Sequence, residues 1–280
     1  AAGDALILGC GVPLAQALDT VDYCRIGSDV APKWEDWRLK QIRFPERVST
    51  VNSLGSTIGR CQLDSRFFRN DPDVFLLRKE RNSLSQHQKR VLFFTNNLFG
   101  GLVLTSDEIA GYSEEELAMY KSSFPPENKR IREVQSDQQL YLVDFSIGRR
   151  DYWAYINLSG KSRTVRLPGD AGSLWFSEQS GIRPGGWTRK IGGIDCGCFC
   201  RVPVRPWSVI GTTGRLFPAS EIDQVFREDN ELTISFREKT LQVGDVFIRL
   251  PRETEICMVN NNSALIEERY GITFGRASLI

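Results

Sequence analysis

The chain holds a single histidine, His87, and that scarcity excludes every histidine-based catalytic triad and most zinc chemistry. Charge of one sign is missing too. The formal net charge of +1 gives no electrostatic reason to expect nucleic acid or a membrane surface as partner, and neutral substrates fit better. No run approaches the roughly eighteen apolar residues of a membrane span, and no signal peptide is read at the N-terminus. Seven cysteines, an odd number without close-set pairs, argue against a disulfide framework and for a reducing compartment, so the cytoplasm is expected. Cys196, Cys198 and Cys200 alternate with Gly197 and Phe199; this pattern admits a metal site, but small thiols on one face of a β-strand are the simpler reading. No metal and no cofactor are expected.

What is present is ordinary globular composition, 41% hydrophobic and 25% charged, over 280 residues, enough for about two domains with cores of their own. The first buried strand, Leu6-Ile7-Leu8, follows so closely on Ala1 to Asp4 that the chain is expected to start inside a fold. It ends in Gly9-Cys10-Gly11-Val12-Pro13. Val21, Tyr23 and Ile26 form a second strand, broken by Gly27 and barred from further pairing by Pro32. Trp34 and Trp37 lie among charges in the loop that follows, as sugar-stacking surfaces or as buried anchors.

Val48, Val51, Leu54 and Ile58 at helical spacing predict a helix over Glu46 to Cys61, and Ser65 to Arg69 reads as the next strand. Ser85 with Gln88 and Ser113 with Glu116 are capping boxes opening two further helices, with Leu102 to Thr105 a strand between them. Strand, loop and helix thus recur with polar groups at strand ends, the grammar of half a (β/α)8 barrel read from its active-site face.

From about Gln138 the hydrophobic period becomes two. Leu140 to Val143, Tyr152 to Ile156, Thr164 to Leu167 and Cys198 to Val204 predict antiparallel strands. Glu231 to Arg237, Asp245 to Leu250 and Glu255 to Val259 continue them, with a turn at Asn260-Asn261-Asn262. The fold class expected is α/β followed by β: the second half of a TIM (β/α)8 barrel over 1–135, an antiparallel β-sandwich over 136–208 and a further β-rich segment over 209–280.

The chemistry-bearing stretch is Tyr23 to Pro32, which brings Arg25 and Asp29 to a strand end. Asp29 is the candidate for chemistry; a loop aspartate making a turn or cap is the alternative. Arg25 offers several fixed donors and a permanent charge, for a ligand or for an ion pair. Cys10, between Gly9 and Gly11, reads either as a buried thiol or as a place where a ligand meets the backbone closely.

The spacing G-C-G-x-P-L from Gly9, then V-D-x-x-R-I-G-x-D-x-A-P from Val21, then Asn70-Asp71-Pro72-Asp73, resembles the bacterial α-galactosidases (melibiases) of glycoside hydrolase family 36. Cys10 precedes Asp29 by nineteen positions and Arg25 precedes it by four, as in that family's pattern. The likeness runs from Leu6 to about Asp107, weakens through the first β-rich segment, and ends near residue 208. It implies that Asp29 is the general acid/base of a retaining enzyme, and that Cys10, Gly11 and Arg25 contact substrate. Asn70, Asp71 and Asp73 would then form hydrogen-bonded support, with Pro72 stiffening the turn.

Retaining hydrolysis needs two carboxyl groups about 5 to 5.5 Å apart, and only one is visible. In the family the attacking aspartate follows a lysine on an earlier strand, so this chain is expected to be the C-terminal part of a longer enzyme and inactive alone. Its expected partners are an α-galactoside oligosaccharide and the missing N-terminal half, with open strand edges that also invite a second copy. Whether galactose or N-acetylgalactosamine is removed, and by hydrolysis or transfer, stays open. The competing reading is a non-catalytic carbohydrate-binding or structural β-protein using Trp153, Trp175, Trp187 and Trp207, which exposed, coplanar indoles would favour.

Overall fold

The computed structural model describes residues 4–45, 47–237, 244–255, 257–259 and 262–278. Its first part is a set of parallel β–α units. Strands β1 (Leu8–Gly9), β2 (Tyr23–Arg25) and β3 (Arg69–Asp71) pair in parallel in that order, with Leu8 opposite Tyr23, Cys24 opposite Asn70 and Arg25 opposite Asp71. Strand β4 (Val74–Phe75) follows at once and pairs in parallel with β5 (Leu104–Thr105). Parallel neighbours need crossovers, and helices supply them. Helix α1 (Leu14–Ala17) joins β1 to β2; α2 (Trp37–Gln41) and α3 (Thr50–Gly59) join β2 to β3; α4 (Gln86–Phe99) joins β4 to β5; α5 (Glu114–Lys121) follows β5.

Both capping boxes form: Ser85 and Ser113 each accept the amide three residues on, and Gln88 and Glu116 reach back to the cap amide. Two boundaries move. The helix expected over Glu46 to Cys61 spans only Thr50–Gly59, with Glu46 outside the described residues. The strand expected over Ser65 to Arg69 lies instead at Arg69–Asp71, because Ser65 turns at φ +60° and the Phe68 carbonyl accepts its amide at 2.8 Å.

The second part is antiparallel. A six-stranded sheet runs in the order β11 (Gly181–Pro184), β10 (Leu174–Ser177), β13 (Asp195–Arg201), β8 (Arg150–Asn157), β7 (Leu140–Ile147), β6 (Lys129–Asp137). Strict alternation divides its side chains. Val143, Phe145, Tyr152, Ala154, Ile156, Cys196 and Cys200 join α4 in the main core, whereas Leu140, Trp153, Tyr155 and Phe199 pack with residues of the antiparallel pair β9 (Arg163–Arg166) and β12 (Thr188–Ile191). The cysteine stripe is therefore one strand face, with Cys196 and Cys200 buried and Cys198 part-buried between them. Helix α4 is covered throughout its second half, every residue from Val91 to Phe99 being buried.

Beyond it, β14 (Ser208–Thr212), β17 (Asp245–Leu250), β21 (Ile272–Ser278) and β20 (Leu265–Arg269) make a four-stranded sheet. The strands β15 (Ile222–Glu228) and β16 (Glu231–Phe236) form a hairpin, as do the short pair β18 (Met258–Val259) and β19 (Asn262–Ser263). The predicted strand over Glu255 to Val259 is thus described only as Met258–Val259, and Ile256, Asn260 and Asn261 lie outside the described residues. This last part is tied back to the chain after α5: the Leu216 amide donates to the Ser122 carbonyl at 3.0 Å, and Arg237 pairs with buried Glu127 at 2.5 Å.

Candidate active site

Parallel register builds the site. With Arg25 opposite Asp71, both side chains leave the sheet on one face, while Cys24 and Asn70 leave on the other. Cys24 packs with Ala17 of α1, Ile26 and Phe68, and Asn70 donates to the Arg60 carbonyl at the end of α3. Asn70 therefore does not join the cluster formed by Arg25, Asp71 and Asp73.

The guanidinium of Arg25 is the hub. Its Nε meets Asp71 Oδ2 at 2.8 Å, and its Nη1 lies 3.0 Å from Asp73 Oδ1 and 3.4 Å from Asp29 Oδ1. Asp71 is wholly buried and Asp73 nearly so, whereas the Asp29 side chain is 72% exposed. Of the two roles read for Arg25, the ion pair is the one formed here. Asp71 and Asp73, expected as hydrogen-bonded support, grip it directly.

Asp73 also reaches the other loop. Its Oδ2 accepts the Val30 amide at 2.6 Å, so it pins the peptide immediately after Asp29, and its own amide donates to Asp71 Oδ1 at 2.8 Å. To do so it takes φ +76°, a conformation that aspartate tolerates better than most residues. Burial pushes its carboxyl above the usual range, opposed by the Val30 amide and by Arg25, with the nearby Asp29 charge adding to the rise. The anchoring of the Asp29 loop by Asp73 escapes sequence reasoning, because forty-three residues separate Val30 from Asp73.

Cys10 follows β1 and is exposed, which overturns the reading of a buried thiol. Gly11 turns at φ +70°, and a Cβ built on it would meet nothing within 4 Å, so a ligand can approach its backbone. Trp34 packs against the main core, an anchor as one reading had it, while Trp37 is 65% exposed with the Lys40 ammonium 4.6 Å from its ring centre. At the far side, Asp107 at the exit of β5 accepts the amides of Leu77 and Arg78 and the Tyr112 hydroxyl, and pairs with Arg78 at 2.5 Å. That carboxylate is consumed in holding two strand exits together. The carboxylate of this group that is left open to solvent is Asp29.

The indoles of the competing reading are placed differently. Trp153 and Trp175 are each 6% exposed, Trp187 is partly buried against their cluster, and the Arg227 guanidinium lies 5.3 Å from the Trp207 ring centre. They do not form an exposed row.

No family model matches the chain. Among solved structures it is similar to α-galactosidase I from Mortierella vinacea, at 12% identity and TM-score 0.51, over 65% of this chain and 54% of that one. A β-L-arabinopyranosidase of family GH27 from Geobacillus stearothermophilus matches at 12% identity and TM-score 0.54, over 69% of this chain and 48% of that one. Over the matched part the chain shares the fold of these two structures. It spans about half their length. TtGalA, an α-galactosidase from Thermus thermophilus, is 29% identical over 51% of this chain and 29% of that one; its TM-score of 0.44 is too low to bear on the fold.

Proposed function

We propose that the chain is the C-terminal part of a retaining α-galactosidase resembling family 36, with Asp29 as general acid/base and the attacking carboxylate on an upstream segment. The observation that carries this reading is the contrast within one cluster: two buried carboxylates and Arg25 fix a strand end and a loop, and a third carboxylate is left exposed beside them. A structural ion pair has no need of the exposed member. Leu6, Ile7 and Leu8, expected as a buried strand, are 73%, 44% and 46% exposed, and the strand itself is only Leu8–Gly9. Among the described residues no strand pairs with its outer side, which supports the upstream segment. On this reading the parallel units are the second half of a (β/α)8 barrel, and the cleft is completed by its first half.

In the first step Asp29 gives its proton to the glycosidic oxygen as the upstream carboxylate attacks the anomeric carbon; in the second it takes a proton from the water that releases the sugar. Arg25 holds the strand end, Asp73 fixes the backbone after Asp29, and the open backbone at Cys10 and Gly11 receives the galactosyl ring. The substrate is a terminal α-galactosyl group of an oligosaccharide.

The test uses the full-length polypeptide from the gene that encodes this chain. Asp29→Ala is expected to lower turnover of melibiose-like substrates by ~10² to 10⁴-fold, and that of activated aryl α-galactosides far less, because a good leaving group needs little protonation. Azide should restore turnover of the aryl substrate and give a galactosyl azide of retained configuration. Undiminished hydrolysis of melibiose by Asp29→Ala, or an azide of inverted configuration, removes Asp29 from this role.

A further inference from the structure

Between α4, α5 and β13 lies a cavity of about 940 Å³, away from the Arg25 cluster and unused by the proposed reaction. It is a slot along two helices that begin at the same end, where Gln86 donates to Glu115 at 3.2 Å. Along α4 its wall runs from Gln86 to Phe94, about 12 Å of helix. Phe94, Leu117, Met119, Cys198 and Leu216 give it apolar sides. The two ends differ in charge: Glu114 and Glu115 stand at the start of α5, whereas Lys121 and Arg215 stand at its finish, where the 213–218 loop crosses.

Arg215 is the anomaly. It is 5% exposed, its Nε has no hydrogen-bond partner, and the nearest carboxylate oxygen, Glu221 Oε2, is 3.9 Å away and itself unpartnered. Its surroundings hold Glu221 and Glu127 but also the guanidinium of Arg237. A buried guanidinium nitrogen without a hydrogen bond is costly to keep, and because Arg215 lines the cavity an anion bound there can supply the partner that distant Glu221 does not. The rim also carries His87, Arg90 and Glu178, but Arg215 and Lys121 gather at one end of the apolar sides, and apolar walls with a few placed charged groups are the usual form of a small-molecule site.

We propose that this slot binds a linear amphipathic carboxylate. Its head sits at Arg215 and Lys121, and its chain of roughly eight to ten carbons, matching about 12 Å of wall, lies between Phe94, Leu117 and Cys198. The site is independent of the glycosidase reading, so either can fail alone.

Isothermal titration of the 280-residue chain with sodium octanoate and with octan-1-ol tests it. Octanoate should bind at one site and the alcohol at least tenfold more weakly, since a charge-assisted bond to arginine is lost. Arg215→Met should weaken octanoate at least tenfold and bring acid and alcohol together, with Arg215→Lys recovering part of the difference. Ala118→Trp, on the exposed surface of α5 where it lines the slot, should block both probes while leaving Arg215 and the thermal midpoint unchanged. The proposal is overturned by absence of binding at millimolar octanoate, by equal affinity for acid and alcohol, or by octanoate binding that survives Ala118→Trp.

Discussion

Arg25 serves two buried carboxylates at once, and removing it would leave both Asp71 and Asp73 without their cation. Arg25→Met is therefore expected to destabilise the chain by about 3 to 5 kcal/mol, the range for breaking a buried pair from one side. Urea unfolding measures it. Combining Arg25→Met with Asp71→Asn should recover part of the loss, and a double mutant no more stable than Arg25→Met would show that the carboxylate is not what suffers. Lys129 gives a pH-dependent case. Burial pushes its amine down to about 8, against about 10.4 in the unfolded chain, so the unfolded state binds more protons between those values. Stability contributed by this group therefore rises with pH from 8 towards 10, by at most about 1.4 kcal/mol per unit of difference. In Lys129→Met that rise should vanish from melts recorded across the interval. Neither effect is legible in the sequence, because Arg25 and Asp71 are partners only through a register that spans forty-six positions.

At the scale of elements, legibility follows range. The two capping boxes were readable because each is closed within four residues, and Ser85→Ala should cost about 1 kcal/mol of stability in the same unfolding measurement. The thiol stripe of β13 was readable because period two is local. Strand β4 was not, for its two residues are held by pairing with β5, some thirty positions onward. Gly197 illustrates a further layer. It lies opposite Tyr155, and a Cβ there would come within 2.6 Å of that buried ring, so the position is fixed by a cross-strand neighbour. Gly197→Ala should cost about 1 to 3 kcal/mol by overpacking, read as a lowered thermal midpoint. A midpoint equal to that of the parent would mean the ring swings aside freely.

At the scale of the molecule, the free edge of β1 governs behaviour in solution. Leu6, Leu8 and Val12 are exposed around this strand, and among the described residues no strand pairs with its outer side, a surface that invites another strand. The chain alone is expected to self-associate in sedimentation velocity runs at micromolar concentration, and Leu6→Lys with Leu8→Lys should shift it towards monomer. A monomer before and after the substitutions would show that this edge does not drive association.

Helix α4 has a consequence for inheritance. Covered on every side from Val91 to Phe99, it belongs equally to the parallel units and to the antiparallel sheet, which share it as a common wall. A genetic crossover near residue 128 would bring together a helix and a sheet face that had not varied in each other's presence, and their packed side chains would clash or gape. The two parts are therefore expected to descend as a unit, with exchange between lineages confined to chain on either side of the span from α4 to β13.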